Sequence, residues 1–289
     1  MSNLQLFLAA VAIWGSTWLA IKFQLGKVAP EASVFYRFLL ASLILFAFCL
    51  ARHLPLRYKP REHLWIALLG VLMFSVSYIF VYYAEQHVVS GLVAVGYSAS
   101  PMLGLICMRV FFGTRMSPLL ILGSILGMVG IALVFWPEFA KLQGDRDTAL
   151  GAFHTIVAVL VSALGAIVAQ RNQRAELPLW QSMAWGMLYG ALFSLVVTFA
   201  MGEALAFEAT APYVLSLVYL AVLGSILAFA AYLTLLHRVG AGRAGYIGVM
   251  VPIVALVISA AFEGFRWHAL TWAGIAVSVA GNVIVLRRK

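Results

Sequence analysis

The chain has 289 residues, 64% of them hydrophobic and only 10% charged, too little polar surface to cover a water-soluble globule. Its formal charge of +9 stands in ones to fours between apolar runs, a pattern of membrane topology and not of a nucleic-acid-binding face. Composition thus speaks against a soluble enzyme and a nucleic-acid partner, and makes lipid the main solvent.

A bilayer core needs about 20 apolar residues per helix. Clusters of charge, Pro and Gly divide the chain into ten such runs, near 4–25, 32–50, 63–83, 89–112, 117–136, 150–170, 178–201, 212–236, 242–263 and 268–286. The first run has no Lys or Arg before it, is too long for a signal-peptide core and reads as helix 1. Loops on one side hold thirteen basic residues, from Arg52, Arg57, Lys59 and Arg61 to Arg287, Arg288 and Lys289, whereas the other side holds Lys27, Lys141, Arg146 and Arg266. The positive-inside rule then places both termini in the cytoplasm.

In chain order, helix 1 offers Trp14 and Trp18, with Lys22 near its end as a snorkelling anchor. Helix 2 carries Arg37, a basic residue well inside a helix, which needs either a substrate carboxylate or a structural partner such as a backbone carbonyl or Glu31. On helix 3, Ser75, Tyr78, Tyr82 and Glu85 fall on one polar-aromatic stripe. Cys49 and Cys107, inside apolar runs, read as buried thiols. Pro101 and Pro252 lie near the middles of helices 4 and 9 and free the carbonyls of Tyr97 and Gly248. Freed carbonyls face a wet cavity or are healed by neighbours such as Ser98 and Ser100, and broken helices at matching positions point to a transporter site. Helix 7 offers Gln181, Trp185 and Tyr189, helix 8 offers Tyr232, and helix 9 offers Tyr246 and Met250. Aromatics near membrane ends also serve as interface anchors, a reading that weighs most on Trp18 and Tyr82.

All ten acidic residues lie in loops or within about a turn of a helix end, so none is expected at the midplane to carry a proton or neutralise a cationic drug. Metal, cofactor and enzyme signatures are absent from the sequence: it has no His-Glu-x-x-His, Gly-x-Ser-x-Gly or P-loop.

Shifting the second half over the first by 151 residues superposes Gly91, Pro101, Phe111, Gly113, Arg115, Leu119, Gly123 and Gly130 on Gly242, Pro252, Phe262, Gly264, Arg266, Leu270, Gly274 and Gly281. A shift of 154 places Ala67, Leu69, Gly70 and Tyr78 on Ala221, Leu223, Gly224 and Tyr232. The chain therefore divides into repeats at 1–137 and 149–289, each of five helices. Five is odd, so the copies thread the membrane in opposite directions, as in secondary transporters, although duplication could serve packing alone. The expected fold is an all-α integral membrane protein with ten transmembrane helices in two inverted five-helix repeats.

The ten-helix inverted repeat, Trp14-Gly15-Ser16-Thr17-Trp18, Arg37-Phe38-Leu39 and the Pro101 and Gly113 segment resemble the EamA-type drug/metabolite transporter superfamily. Length and aromatic content are similar to its YddG-like exporters of aromatic amino acids and methionine. The resemblance implies a bacterial inner-membrane exporter of metabolites. The expected activity is facilitative or exchange transport of a small amino acid or related metabolite by a monomer in lipid, with no cofactor. A proton-coupled drug exporter and a channel-like pore are the alternatives. Candidate substrate contacts are Trp14, Trp18, Arg37, Tyr78, Tyr82, Tyr97, Ser98, Trp185, Tyr189, Tyr246 and Gly248; candidate hinges and gates are Pro101, Pro252, Tyr78 and Tyr232.

Overall fold

The computed structural model describes residues 1–99, 103, 106, 109–110, 113, 118–141, 146–244 and 246–286. Ten helices run through them. They are α1 (Asn3–Lys22), α2 (Pro30–Ala51), α3 (Pro60–His87), α4 (Ser90–Tyr97), α5 (Pro118–Lys141), α6 (Arg146–Arg174), α7 (Leu179–Ala200), α8 (beginning at Ala211), α9 (Tyr246–Phe262) and α10 (Ala269–Leu286). Local chemistry sets several starts. Ser2 and Gln5 form a capping box at α1, and Pro30 and Pro60 stand at the first turns of α2 and α3, where a missing N–H costs nothing.

Two of these helices change pitch. In α3 the backbone is π-helical over Leu72–Val76, and in α8 the α-helical Ala211–Tyr219 passes through a π segment, Leu220–Leu227, into Ala228–Ala244. The π segments lie in helices that the repeat makes equivalent, near the matched pair Gly70 and Gly224. Helix α8 runs eight residues beyond the expected end at 236, because a helix leaving lipid is not stopped by charged residues such as Arg238 and Arg243. By length and composition, α1, α2, α3, α6, α7 and α8 are each able to cross a membrane among the described residues.

Packing follows the repeat. Helix α5 packs on α10, α2 on α7 and α4 on α9, while α1 meets α8 and α9 as α6 meets α3 and α4. Exchanging the first five helices with the second five maps this pattern onto itself, which is the signature of a pseudo-two-fold axis. Gly113 and Gly264, matched in sequence, both adopt the left-handed backbone, at φ 63° and 72°. Repeated small residues explain the closest contacts: a Cβ at Gly130 or Gly274 would overlap the backbone of the facing helix, so α5 and α10 touch main chain to main chain.

Candidate functional site

A cavity of about 310 Å³ opens where the repeats meet. Trp14, Thr17, Trp18 and Ile21 of α1 line it with Arg37 of α2, Met73, Ser77, Tyr78 and Val81 of α3, and Ala94, Tyr97 and Ser98 of the α4 segment. Ser162 of α6, Phe229 and Tyr232 of α8, and Ile247, Gly248, Val251 and Pro252 of α9 complete it. Trp14, Trp18, Tyr78, Tyr97, Phe229 and Tyr232 give it aromatic walls, and no carboxylate is among its lining residues. Such a volume and lining are those of a site for a small amphiphilic molecule.

The walls are held by directional contacts. Trp14 Nε1 donates to the carbonyl of Gly224, in the π segment of α8, at 3.2 Å, and its ring meets those of Phe229 and Tyr232 at 5.2 and 5.5 Å. Trp18 packs edge-on to Tyr97 at 5.1 Å, and the Tyr97 hydroxyl pairs with Ser77 Oγ at 2.7 Å. Arg37 is 1% exposed. Its Nε donates to Ser225 Oγ at 3.2 Å, Ser225 donates in turn to the Leu220 carbonyl five residues back, and its guanidinium lies 4.4 Å from the Tyr78 ring centre. The π segment thus supplies the acceptor that orients the arginine. Glu31, the partner considered from sequence, instead accepts from the Tyr83 hydroxyl, and no ion pair of Arg37 is found among the described residues.

The structure brings together Trp14, Trp18, Arg37, Tyr78, Tyr97, Ser98, Tyr232, Gly248 and Pro252. It does not bring three others to the cavity. Tyr82 is wholly buried in the helix core, where its hydroxyl donates to Gln24 Oε1 at 2.5 Å. Trp185 and Tyr189 stack on each other beside the α2–α3 connection, Trp185 Nε1 donating to the Leu56 carbonyl at 3.0 Å and the Tyr189 hydroxyl meeting His63 Nδ1 at 2.8 Å. The reason is the packing of α7 on α2 and α3 through Met187, Gly186 and Gly190, which turns this aromatic stripe to the connection. Pro101 and the Tyr246 side chain lie outside the described residues. Ser77, Ser162 and Phe229 were not singled out from sequence; Phe229, three residues before Tyr232, was detectable by helical spacing.

Beyond Ile21 and Val81 lies a polar junction of helix ends. Lys22 Nζ donates to the carbonyls of Glu85 at 2.6 Å and Val88 at 3.1 Å and stands 3.8 Å from Glu263 Oε1. It is therefore tied inward and does not snorkel, against the expectation for an exposed anchor. Glu263, just past α9, accepts from the hydroxyls of Ser90 and Ser259 and from the Ser90 N–H at the start of α4. Glu85 is 0% exposed, and neither carboxylate oxygen has a hydrogen-bond partner among the described residues. These acids are near helix ends as the sequence implied, but Glu31 and Glu85 are buried.

Ten apolar helices in two inverted halves around a solute-sized cavity define a membrane transporter built on an inverted repeat. A model of the EamA-like transporter family matches residues 1–136 and again 149–287, and the chain belongs to that family. Membership makes it a transporter and not an enzyme. It is 30% identical over 279 residues to YedA of Escherichia coli strain K12, an uncharacterized inner membrane transporter, covering 96% of this chain and 88% of YedA. It is 24% identical to the uncharacterized transporter YoaV of Bacillus subtilis strain 168, over 86% of this chain and 84% of that one. A solved crystal structure with 16% sequence identity shares the fold at a TM-score of 0.71, over 98% of this chain and 96% of that chain.

Proposed function

We propose that the protein is a facilitative or exchange carrier of small metabolites, aromatic amino acids and methionine foremost, working by alternating access as a monomer in the inner membrane. The observation that carries this reading is the aromatic cavity between inverted halves, since stacking favours flat or polarisable side chains. The resemblance to YddG-like exporters supports the solute class, the description of YedA supports the membrane, and the basic-residue asymmetry supports cytoplasmic termini. Trp14, Trp18, Tyr97, Ser98 and the Gly248 carbonyl are the proposed solute contacts. Tyr78 and Tyr232, matched by the repeat, are the proposed gates at opposite ends, with Pro101 and Pro252 as hinges.

The test is flux of radiolabelled phenylalanine, tryptophan and methionine into proteoliposomes, with Trp14→Ala as control. Saturable flux that falls at least tenfold in the variant supports the reading; no flux of any of the three overturns it. Single cysteines at Arg61 and Lys27 test the orientation, and labelling of both from one side would refute it.

A second reading, coupling to protons, draws on Glu85, a fully buried carboxyl one turn beyond the cavity residue Val81. Facilitative transport predicts that downhill flux is unchanged when the proton gradient is collapsed. Accumulation driven by a pH gradient alone, and lost in Glu85→Gln, selects the second reading.

A further inference from the structure

Two N–H groups of cavity-lining side chains have no acceptor among the described residues: Arg37 Nη1 and Trp18 Nε1. An unmet donor in a low-dielectric interior is costly, and an unpaired guanidinium more so. Arg37 is nevertheless held in place rather than released toward water. Its Nε is fixed by Ser225, and the Tyr78 and Phe38 rings lie 4.4 and 5.2 Å from its guanidinium carbon. Both nitrogens are buried in the cavity wall, so an anion reaches them as the wall side chains adjust; a carboxylate, with two acceptor oxygens, has the capacity to accept from a planar guanidinium and from a second donor. The opposite charge has no counterpart: the lining includes no Asp or Glu, so a cargo ammonium group would meet only π faces, hydroxyls and carbonyls.

We infer that the cavity selects its cargo by the carboxylate, received by Arg37 and Trp18, and that the amino group is dispensable. Resting on the carrier reading above, this makes the substrate class small aromatic or apolar monocarboxylates, of which amino acids are one subset. Amines, amides and cationic drugs are poor cargo, because they leave the arginine unpaired or add like charge beside it.

The experiment compares four compounds on one skeleton, 3-phenylpropionate, phenylalanine, 3-phenylpropionamide and 2-phenylethylamine. Each is measured by calorimetric binding to the purified full-length protein and by uptake into proteoliposomes. The expected result is that both carboxylates bind and are carried, while the amide and amine bind at least tenfold more weakly. Arg37→Gln removes that preference and Arg37→Lys restores part of it. Trp18→Phe keeps the ring, removes the N–H and weakens carboxylate binding severalfold, so the inference stays testable if the arginine variants do not fold. Equal binding of amide or amine, or a carboxylate preference that survives Arg37→Gln, overturns it. Dodecanoate displacing 3-phenylpropionate at equal concentration overturns the small-molecule class in favour of a lipid-derived acid. Carboxylate binding without flux leaves the inference standing and sinks the carrier reading; flux indifferent to the carboxylate does the reverse.

Discussion

The two ends of α1 are secured by different chemistry. At its start, Leu6, Ala10 and Val11 pack on Ala231 and Leu235 of α8 and Ile247 and Val251 of α9, an apolar seam. At its end, Lys22 is bonded to the last turn of α3 and faces Glu263, which is bonded to the first residues of α4. Apolar packing between helices is non-directional, so a seam of this kind parts without stranding a polar group, its cost being the wetting of apolar surface. The other end parts only by breaking charge-assisted hydrogen bonds in a low-dielectric setting. The repeat does not supply this junction twice. Val239 stands where the 154 shift would put a partner for Glu85, and Phe112 where the 151 shift would put one for Glu263. Among the described residues, the Lys22 end is therefore held by buried polar contacts, whereas the other end is held by the apolar seam and one exposed hydrogen bond, from Arg238 to the Met1 carbonyl, and the Lys22 end is expected to set the barrier to opening.

The largest effect is expected from Glu263→Ala. It removes the acceptor shared by Ser90 and Ser259 and leaves Lys22 without its carboxylate. Stranded polar groups of this kind cost about 1–3 kcal/mol each. The thermal midpoint of the purified protein should fall by several degrees. Thiol-reagent access to a cysteine at Ser98 should rise from the Lys22 side of the membrane and not from the other. The matching change in the apolar seam is Ile247→Val, which removes one methylene from a buried side chain and costs about 0.5–1.5 kcal/mol. It should leave access from the Lys22 side unchanged. If both variants shift access equally, the two ends are not different in kind.

Much of the fold was legible in the sequence, because in lipid the constraints on a helix are few and strong. Length and apolarity mark the spans, and the parity of the repeat with the shared glycines marks the inversion. Gly113 and Gly264 show how far this reached, since matched letters proved to share a rare backbone conformation. The site was half legible. Trp14, Arg37, Tyr78 and Tyr232 stood out as polar or aromatic residues inside apolar runs, Trp18 as an aromatic also readable as an interface anchor, and Tyr97 through the carbonyl freed by Pro101, and all six line one cavity. Trp185 and Tyr189 satisfied the same criterion and lie elsewhere, because depth along a helix does not say which face turns inward. The π segments were not legible at all. No residue pattern in α3 or α8 marks them; they pack against α7 and α2, and it is the α8 segment that presents Ser225 to Arg37 and the Gly224 carbonyl to Trp14.

The smallest effect tests the polar end against the cavity directly. Tyr82 and Tyr78 are one turn apart on α3, and sequence spacing alone offers both as substrate contacts. The Tyr78 ring lines the cavity beneath the Arg37 guanidinium, whereas Tyr82 is not among the lining residues; its hydroxyl donates to Gln24 at the end of α1 and stands behind Arg37. Gln24 Nε2 has no hydrogen-bond partner among the described residues, so the Tyr82 contact is what holds that side chain in the core. Tyr82→Phe removes the donor and keeps the ring, with an expected loss of about 1 kcal/mol in stability, close to the typical net worth of one hydrogen bond. Because Tyr82 does not line the cavity and Arg37 keeps its bond to Ser225 and its place over the Tyr78 ring, the KM for any carried solute should stay within twofold of wild type. Tyr78→Ala, which strips the ring from the guanidinium, should raise KM severalfold through lost stacking and cation–π contact. A Tyr82→Phe variant that raises KM as much as Tyr78→Ala, with its thermal midpoint unchanged, would place Tyr82 in the substrate path and dissolve the distinction between the polar end and the site.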